Sequence, residues 1–188
     1  MSDALSPSAL ASTGPATFAQ RLGAAVIDFF VVAAYVFTVG WFCSISRPLA
    51  EALVFPLALG AFAYPLTGHA RYGRTLGKWA MRIRVAQLSG SPIGWNESLR
   101  RSAVDGVLQL AWGFGLFSAL VLVPDELFAR QGWAGLHHSL QPWLPTYMSS
   151  ILFTSVIWSW SEIFTMLFNC KRRAIHDFIA STIVVRSA

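Results

Sequence analysis

Four runs of apolar residues, each long enough to cross a bilayer as a helix, constrain this chain more than any other feature. A crossing takes about 20 helical residues. The first run covers residues 18–43 and is interrupted only by Gln20, Arg21 and Asp28. The second covers 49–67 and carries Pro56 and Pro65, which membrane helices tolerate where neighbours re-satisfy the freed carbonyls. The third covers 102–123 with Asp105 near its start, and the fourth covers 147–168 with Glu162 in its second half. Of the 188 residues, 55% are apolar and 12% are charged. A soluble domain carries roughly 25% charged residues, so this chain has too few polar groups to cover a surface in water. That excludes a disordered protein and argues against a soluble enzyme. The expected fold is an all-α integral membrane protein with four transmembrane helices.

The basic residues orient it. Lys and Arg number 14 against 9 Asp and Glu. In so apolar a chain this excess marks membrane topology rather than nucleic-acid binding, because Lys and Arg stay on the cytoplasmic side. The loop 68–101 holds Arg71, Arg74, Lys78, Arg82, Arg84, Arg100 and Arg101, and the tail 169–188 holds Lys171, Arg172, Arg173 and Arg186. Arg21 adds one more, while Arg47 and Arg130 stand alone in the other two connections. Both termini and the middle loop are therefore expected in the cytoplasm, with 124–146 as an outer loop. Residues 1–17 are rich in Ser, Ala, Pro and Thr. They read as a flexible tail ahead of a membrane domain over 18–188, and the lack of a basic n-region speaks against a signal peptide. Cys43 and Cys170 fall on opposite faces in this topology, so no bridge is expected between them.

The middle loop has structure of its own. Residues 81–85 alternate Arg with apolar side chains, the period of a strand. Ser89-Gly90-Ser91-Pro92 is a turn signal, and 182–185 is a β-branched run. These two segments are expected to pair into a short cytoplasmic ribbon. Residues 171–180 are expected alternatively to form an interfacial helix, with Ile175, Phe178 and Ile179 toward lipid.

A carboxylate within a bilayer costs several kcal/mol unless it is paired. Asp28 lies seven residues after Arg21, about 10 Å along the axis, too far for a direct pair. Glu162 falls at a similar depth and is its expected neighbour, and Asp105 lies in the same half of the membrane. Two readings stand side by side: a proton or cation site opening to the cytoplasm, or a structural network neutralised by Arg21, Arg100, Arg101, Arg172 and Arg173. Other motifs carry less. Gly73 to Lys78 lacks the spacing and the hydroxyl residue of a phosphate loop. His137 and His138 diverge and have no third ligand nearby. Ala111, Gly115 and Ala119 form a small-residue stripe suited to packing within the chain or to a dimer or partner helix. No catalytic motif, metal site or cofactor is expected, and the chain reads as a non-enzyme.

Three motifs in order resemble the RDD family of small membrane proteins. They are Arg21-Leu22-Gly23-Ala24-Ala25-Val26-Ile27-Asp28, then Gly73 to Lys78 followed by Arg82-Ile83-Arg84-Val85, then Arg173-Ala174-Ile175-His176-Asp177 followed by 180–185. Residues 124–146 match no family motif. The resemblance nominates Arg21, Asp28 and Asp177, and it implies transport, with cation/proton antiport proposed for some members. Asp177 lies four residues after Arg173, so the two are expected to pair on a helix. The expected ion-binding or charge-network set is thus Arg21, Asp28, Asp105, Glu162, Arg173 and Asp177. Arg74, Lys78, Arg82, Arg84 and Arg172 form the expected basic cytoplasmic surface, suited to anionic lipid. The alternative function is a non-catalytic assembly or scaffold subunit that uses this surface.

Overall fold

The computed structural model describes residues 14–128 and 133–187. Residues 1–13 of the expected tail, and Arg130, lie outside them. Four helices are long and apolar enough to cross a membrane: α1 (Phe18–Cys43), α2 (Arg47–Tyr72), α4 (Trp95–Leu122) and α7 (Tyr147–Phe168). Between α2 and α4 lie a short helix α3 (Leu76–Ala80) and strand β1 (Ile83–Gln87). Between α4 and α7 lie α5 (Asp125–Phe128), α6 (Trp133–Leu140) and a 3-10 turn (Gln141–Trp143). After α7 come α8 (Ile175–Ile179) and strand β2 (Thr182–Arg186).

The expected limits hold for α1 and α7. The second span begins two residues earlier and runs five further, and the third begins at Trp95 rather than 102. Caps explain two of these starts. Thr17 and Gln20 form a reciprocal capping box before α1, with Gln20 N–H on Thr17 Oγ1 at 3.2 Å and Thr17 N–H on Gln20 Oε1 at 3.0 Å. Glu97 reaches back to Gly94 N–H at 2.8 Å and starts α4 inside the expected loop. Gly73, at φ 66°, ends α2. It needs the left-handed conformation that glycine adopts without a Cβ penalty, and its carbonyl accepts Val85 N–H at 2.8 Å, tying the turn to β1.

The chain divides into two compact units, to both of which every long helix contributes. One contains residues 32–62 and 104–156. Its core gathers Cys43, Val54, Ala119, Leu120, Val123 and Phe128. The small-residue stripe serves packing within the chain here: a Cβ on Gly115 would lie 2.1 Å from Met148 Sδ. Tyr35 donates to Pro56 O at 2.6 Å across Gly60, where a Cβ would meet the hydroxyl at 2.1 Å. Cys43 is buried and free.

The other unit contains residues up to 31, 63–103 and 157 onward. Here β1 and β2 pair antiparallel, with Val85 opposite Val184. The expected ribbon is present, displaced to 83–87 on its first strand. Two strands alone are marginal in water. This pair gains a core from Ile83, Val85 and Val184 packed with Ala16, Ala24 and Ile93. Pro15 bridges to Val185, and Ala16 N–H donates to Val184 O at 3.0 Å, so residues 14–17 lie along β2. The ribbon and a helix over 171–180 were alternatives in sequence; the ribbon is present together with a helix cut to five residues, in which Phe178 and Ile179 are exposed and Ile175 is half-buried. The spans α1 and α7 bury almost none of their apolar windows inside the chain. Phe29, Phe30, Phe153 and Phe168 point outward, which suits a lipid surrounding.

Candidate functional site: three carboxylates and their partners

The acids of the second unit described above each hold a segment that lies outside the spans. Asp28, from α1, captures the start of α3. Its Oδ2 accepts Thr75 Oγ1–H at 2.5 Å, and its Oδ1 accepts Tyr64 O–H at 2.7 Å and Gly77 N–H at 2.8 Å. Lys78 Nζ lies 3.9 Å from Oδ2. Gly77 permits this approach, since a Cβ there would meet Ala24 O at 2.1 Å and Asp28 Cγ at 2.9 Å. The near-phosphate-loop spelling thus encodes a helix start seated on a carboxylate. Tyr64 Oη also accepts Leu76 N–H at 3.1 Å.

Glu162, from α7, captures the first turn of α8. It accepts His176 N–H at 3.0 Å and pairs through Oε2 with His176 Nδ1. Burial, reinforced by repulsion from Arg101, holds the His176 imidazole below its ordinary pKa, with Glu162 pulling the other way.

Asp177, in α8, is fully buried. Arg21 of α1 reaches its Oδ2 at 2.5 Å, and Arg101 of α4 pairs with Oδ1. Thr182 Oγ1 donates to Oδ1 at 3.2 Å, and Ala174 N–H to Oδ2 at 3.0 Å. Arg21 also donates to Arg172 O at 2.6 Å. Burial alone would raise the Asp177 pKa. The charges of Arg101 and Arg21 overcome it and hold the carboxyl well below the usual range. This group stays ionised at any physiological pH.

Several expectations are corrected. Asp28 and Glu162 share no hydrogen-bond partner among the described residues: Tyr64, Thr75 and Gly77 donate to Asp28, and His176 to Glu162. Arg21 serves Asp177 rather than Asp28. Arg173 pairs not with the Asp177 carboxylate but with backbone: it donates to Asp177 O at 2.8 Å and Thr182 O at 3.0 Å. Asp105 lies in the other unit, on an exposed face of α4. Lys78 leaves the basic surface and turns inward to Asp28. Arg84 is half-buried on β1, whereas Arg82 and Arg172 are exposed and Arg74 is intermediate.

Tyr64, Thr75, Arg101, His176 and Thr182 were absent from the expected set. Thr75, His176 and Thr182 stood inside quoted motifs, and Arg101 among the arginines available for neutralisation, so the sequence carried a signal for these four. Tyr64 had none. His69 is buried, with neither ring nitrogen hydrogen-bonded among the described residues. No cluster of three His, Cys, Asp or Glu suited to a metal occurs among the described residues.

A family model described as the RDD family matches residues 15–181. No curated protein matches the chain, and no solved structure does.

Proposed function

The chain belongs to the RDD family of multi-pass membrane proteins, and on that footing we propose that it exchanges protons for monovalent cations at Asp28. The proposed setting is a bacterial inner membrane, with both termini and the ribbon in the cytoplasm, as the Lys and Arg distribution favours. One observation carries this reading: the Lys78 ammonium lies 3.9 Å from the Asp28 carboxylate. Burial, then repulsion from Arg101, pushes Lys78 down to about 8 against the pull of Asp28. A lysine in that range loads and releases a proton near working pH.

The chemistry balances in one exchange. A cation reaching Asp28 finds hard oxygen donors in the carboxylate, Thr75 Oγ1 and Tyr64 Oη, the ligand type alkali cations prefer. It takes the place of the Lys78 ammonium, which releases one proton as one cation binds. Rebinding of the proton restores the ion pair and expels the cation. Asp177 has no part in the exchange, because two arginines keep it charged throughout.

Proteoliposomes with an imposed sodium or potassium gradient test this. Asp28→Asn is expected to reduce cation-driven proton flux to the level of empty vesicles, and unchanged flux overturns the proposal. A second reading, a non-enzymatic scaffold subunit, is favoured by the exposed basic side chains of Arg82 and Arg172. It predicts a stoichiometric partner on purification from native membranes.

A further inference from the structure

Arg173, just ahead of α8, uses its guanidinium inside the protein. It donates to two backbone carbonyls and lies 4.1 Å from the Phe178 ring centroid. Arg74 holds the corresponding place ahead of α3, with Trp79 where α8 has Phe178. Among the described residues the Arg74 side chain makes no hydrogen bond or ion pair. It lines two adjoining clefts instead, and Trp79 lines both with it. One, of about 550 Å³, is walled by Tyr64, Tyr72 and Leu76. The other, of about 490 Å³, contains Arg82. Among the described residues neither wall includes a carboxylate.

The pairing is that of an amphiphile: a cationic cleft joined to an apolar one at the end of a membrane-spanning helix. Tyr72, Leu76 and Trp79 are exposed, Trp79 by 62%. Amphipathic rings at this level suit the headgroup layer, and a guanidinium matches phosphate oxygens in a planar fork. We propose that these clefts seat one anionic phospholipid, its phosphate between Arg74 and Arg82 and an acyl chain along Tyr72, Leu76 and Trp79. The first cleft shares Tyr64 and Thr75 with the ion-exchange reading, but the lipid assignment rests on Arg74 and Arg82, neither of which touches Asp28.

Native mass spectrometry of the full chain, titrated with phosphatidylglycerol or phosphatidylcholine, tests it, with inorganic phosphate as competitor. An arginine beside an anionic headgroup contributes about fivefold in affinity, so with two arginines phosphatidylglycerol is expected to bind roughly twenty-fivefold tighter than phosphatidylcholine. The Arg74→Gln, Arg82→Gln double variant is expected to lose that preference. The corresponding Lys pair, and Arg172→Gln, are expected to keep it. Equal binding of the two lipids overturns the assignment, as does a preference that survives the Gln pair or disappears in the Lys pair. Displacement of phosphatidylglycerol by millimolar phosphate would identify a free-anion site and overturn the lipid.

Discussion

In α3–β1 and in α8–β2, a five-residue helix starts seven positions before its strand, Leu76 to Ile83 and Ile175 to Thr182. Each helix follows a membrane span. Each receives an acceptor from that span at its first turn, Tyr64 Oη on Leu76 N–H and Glu162 Oε1 on His176 N–H. Each is followed by a residue with positive φ, Arg82 at 52° and Ser181 at 55°, and the two strands then pair with each other. The third helical position carries Lys78 in one and Asp177 in the other. Asp177 is sealed between two arginines, while Lys78 faces one carboxylate at 3.9 Å and keeps part of its side chain exposed. Two copies of one backbone device thus hold charges of opposite sign, one locked and one loose. A locked ion anchors a tail; a loose one can exchange.

The largest effect should come from unlocking the tight copy. Asp177→Asn leaves Arg21 and Arg101 buried without a counter-charge, and breaking such a pair costs about 3–5 kcal/mol. Thermal unfolding in nanodiscs should show a large drop, or no folded protein. A loss below about 1 kcal/mol would mean that the clamp is not what holds α8.

The loose copy should respond to pH instead. The folded-state pKa of Lys78 is lowered from 10.5 to about 8. Between those values the unfolded chain binds more protons than the folded one, so this group's contribution favours folding increasingly as pH rises from 8 to 10.5. The gain is at most about 1.4 kcal/mol per pH unit. Comparing unfolding of the parent and Lys78→Met at pH 7.5 and 9.5, about either side of the lower value, isolates it. Parent stability should rise relative to the variant, and parallel changes would show that Lys78 titrates normally.

The smallest effect concerns what the copies share. A non-glycine residue in the left-handed region costs about 1–2 kcal/mol. Arg82→Gly and Ser181→Gly should each stabilise by about 0.5–1 kcal/mol, after the entropy that glycine gives back to the unfolded chain. Similar gains at both positions would support the equivalence of the two units, and opposite signs would break it. Arg82→Gly should also weaken phosphatidylglycerol binding.

The spans were legible because hydropathy over 20 residues is a summed signal that one Pro or Asp does not erase. The ribbon was legible because period-2 alternation at Ile83 and Val85, and β-branching at 182–185, mark strands without reference to partners. Helix starts were less so: Glu97 capping Gly94 moved the start of α4 seven residues into an expected loop. Ion partners were least legible. Counting along helices put Asp28 beside Glu162 at equal depth, but depth says nothing about which face a carboxylate turns to, or whether a loop folds back to meet it. Arg173 and Asp177 had the spacing of a helical pair, yet α8 begins at Ile175, so Arg173 lies outside the helix and meets backbone instead.

The sequence by itself determined that this chain lives in a membrane, how many times it can cross, and that the intramembrane acids need partners. Those conclusions follow from transfer free energies, which depend on residue type and run length and not on contacts. Only the tertiary structure decided which donor each acid receives. Hydrogen bonds act over about 3 Å, and in this chain the decisive partners are brought within that distance by segments far apart in sequence, α3 folding back on α1 and α8 wedged between Arg21 and Arg101.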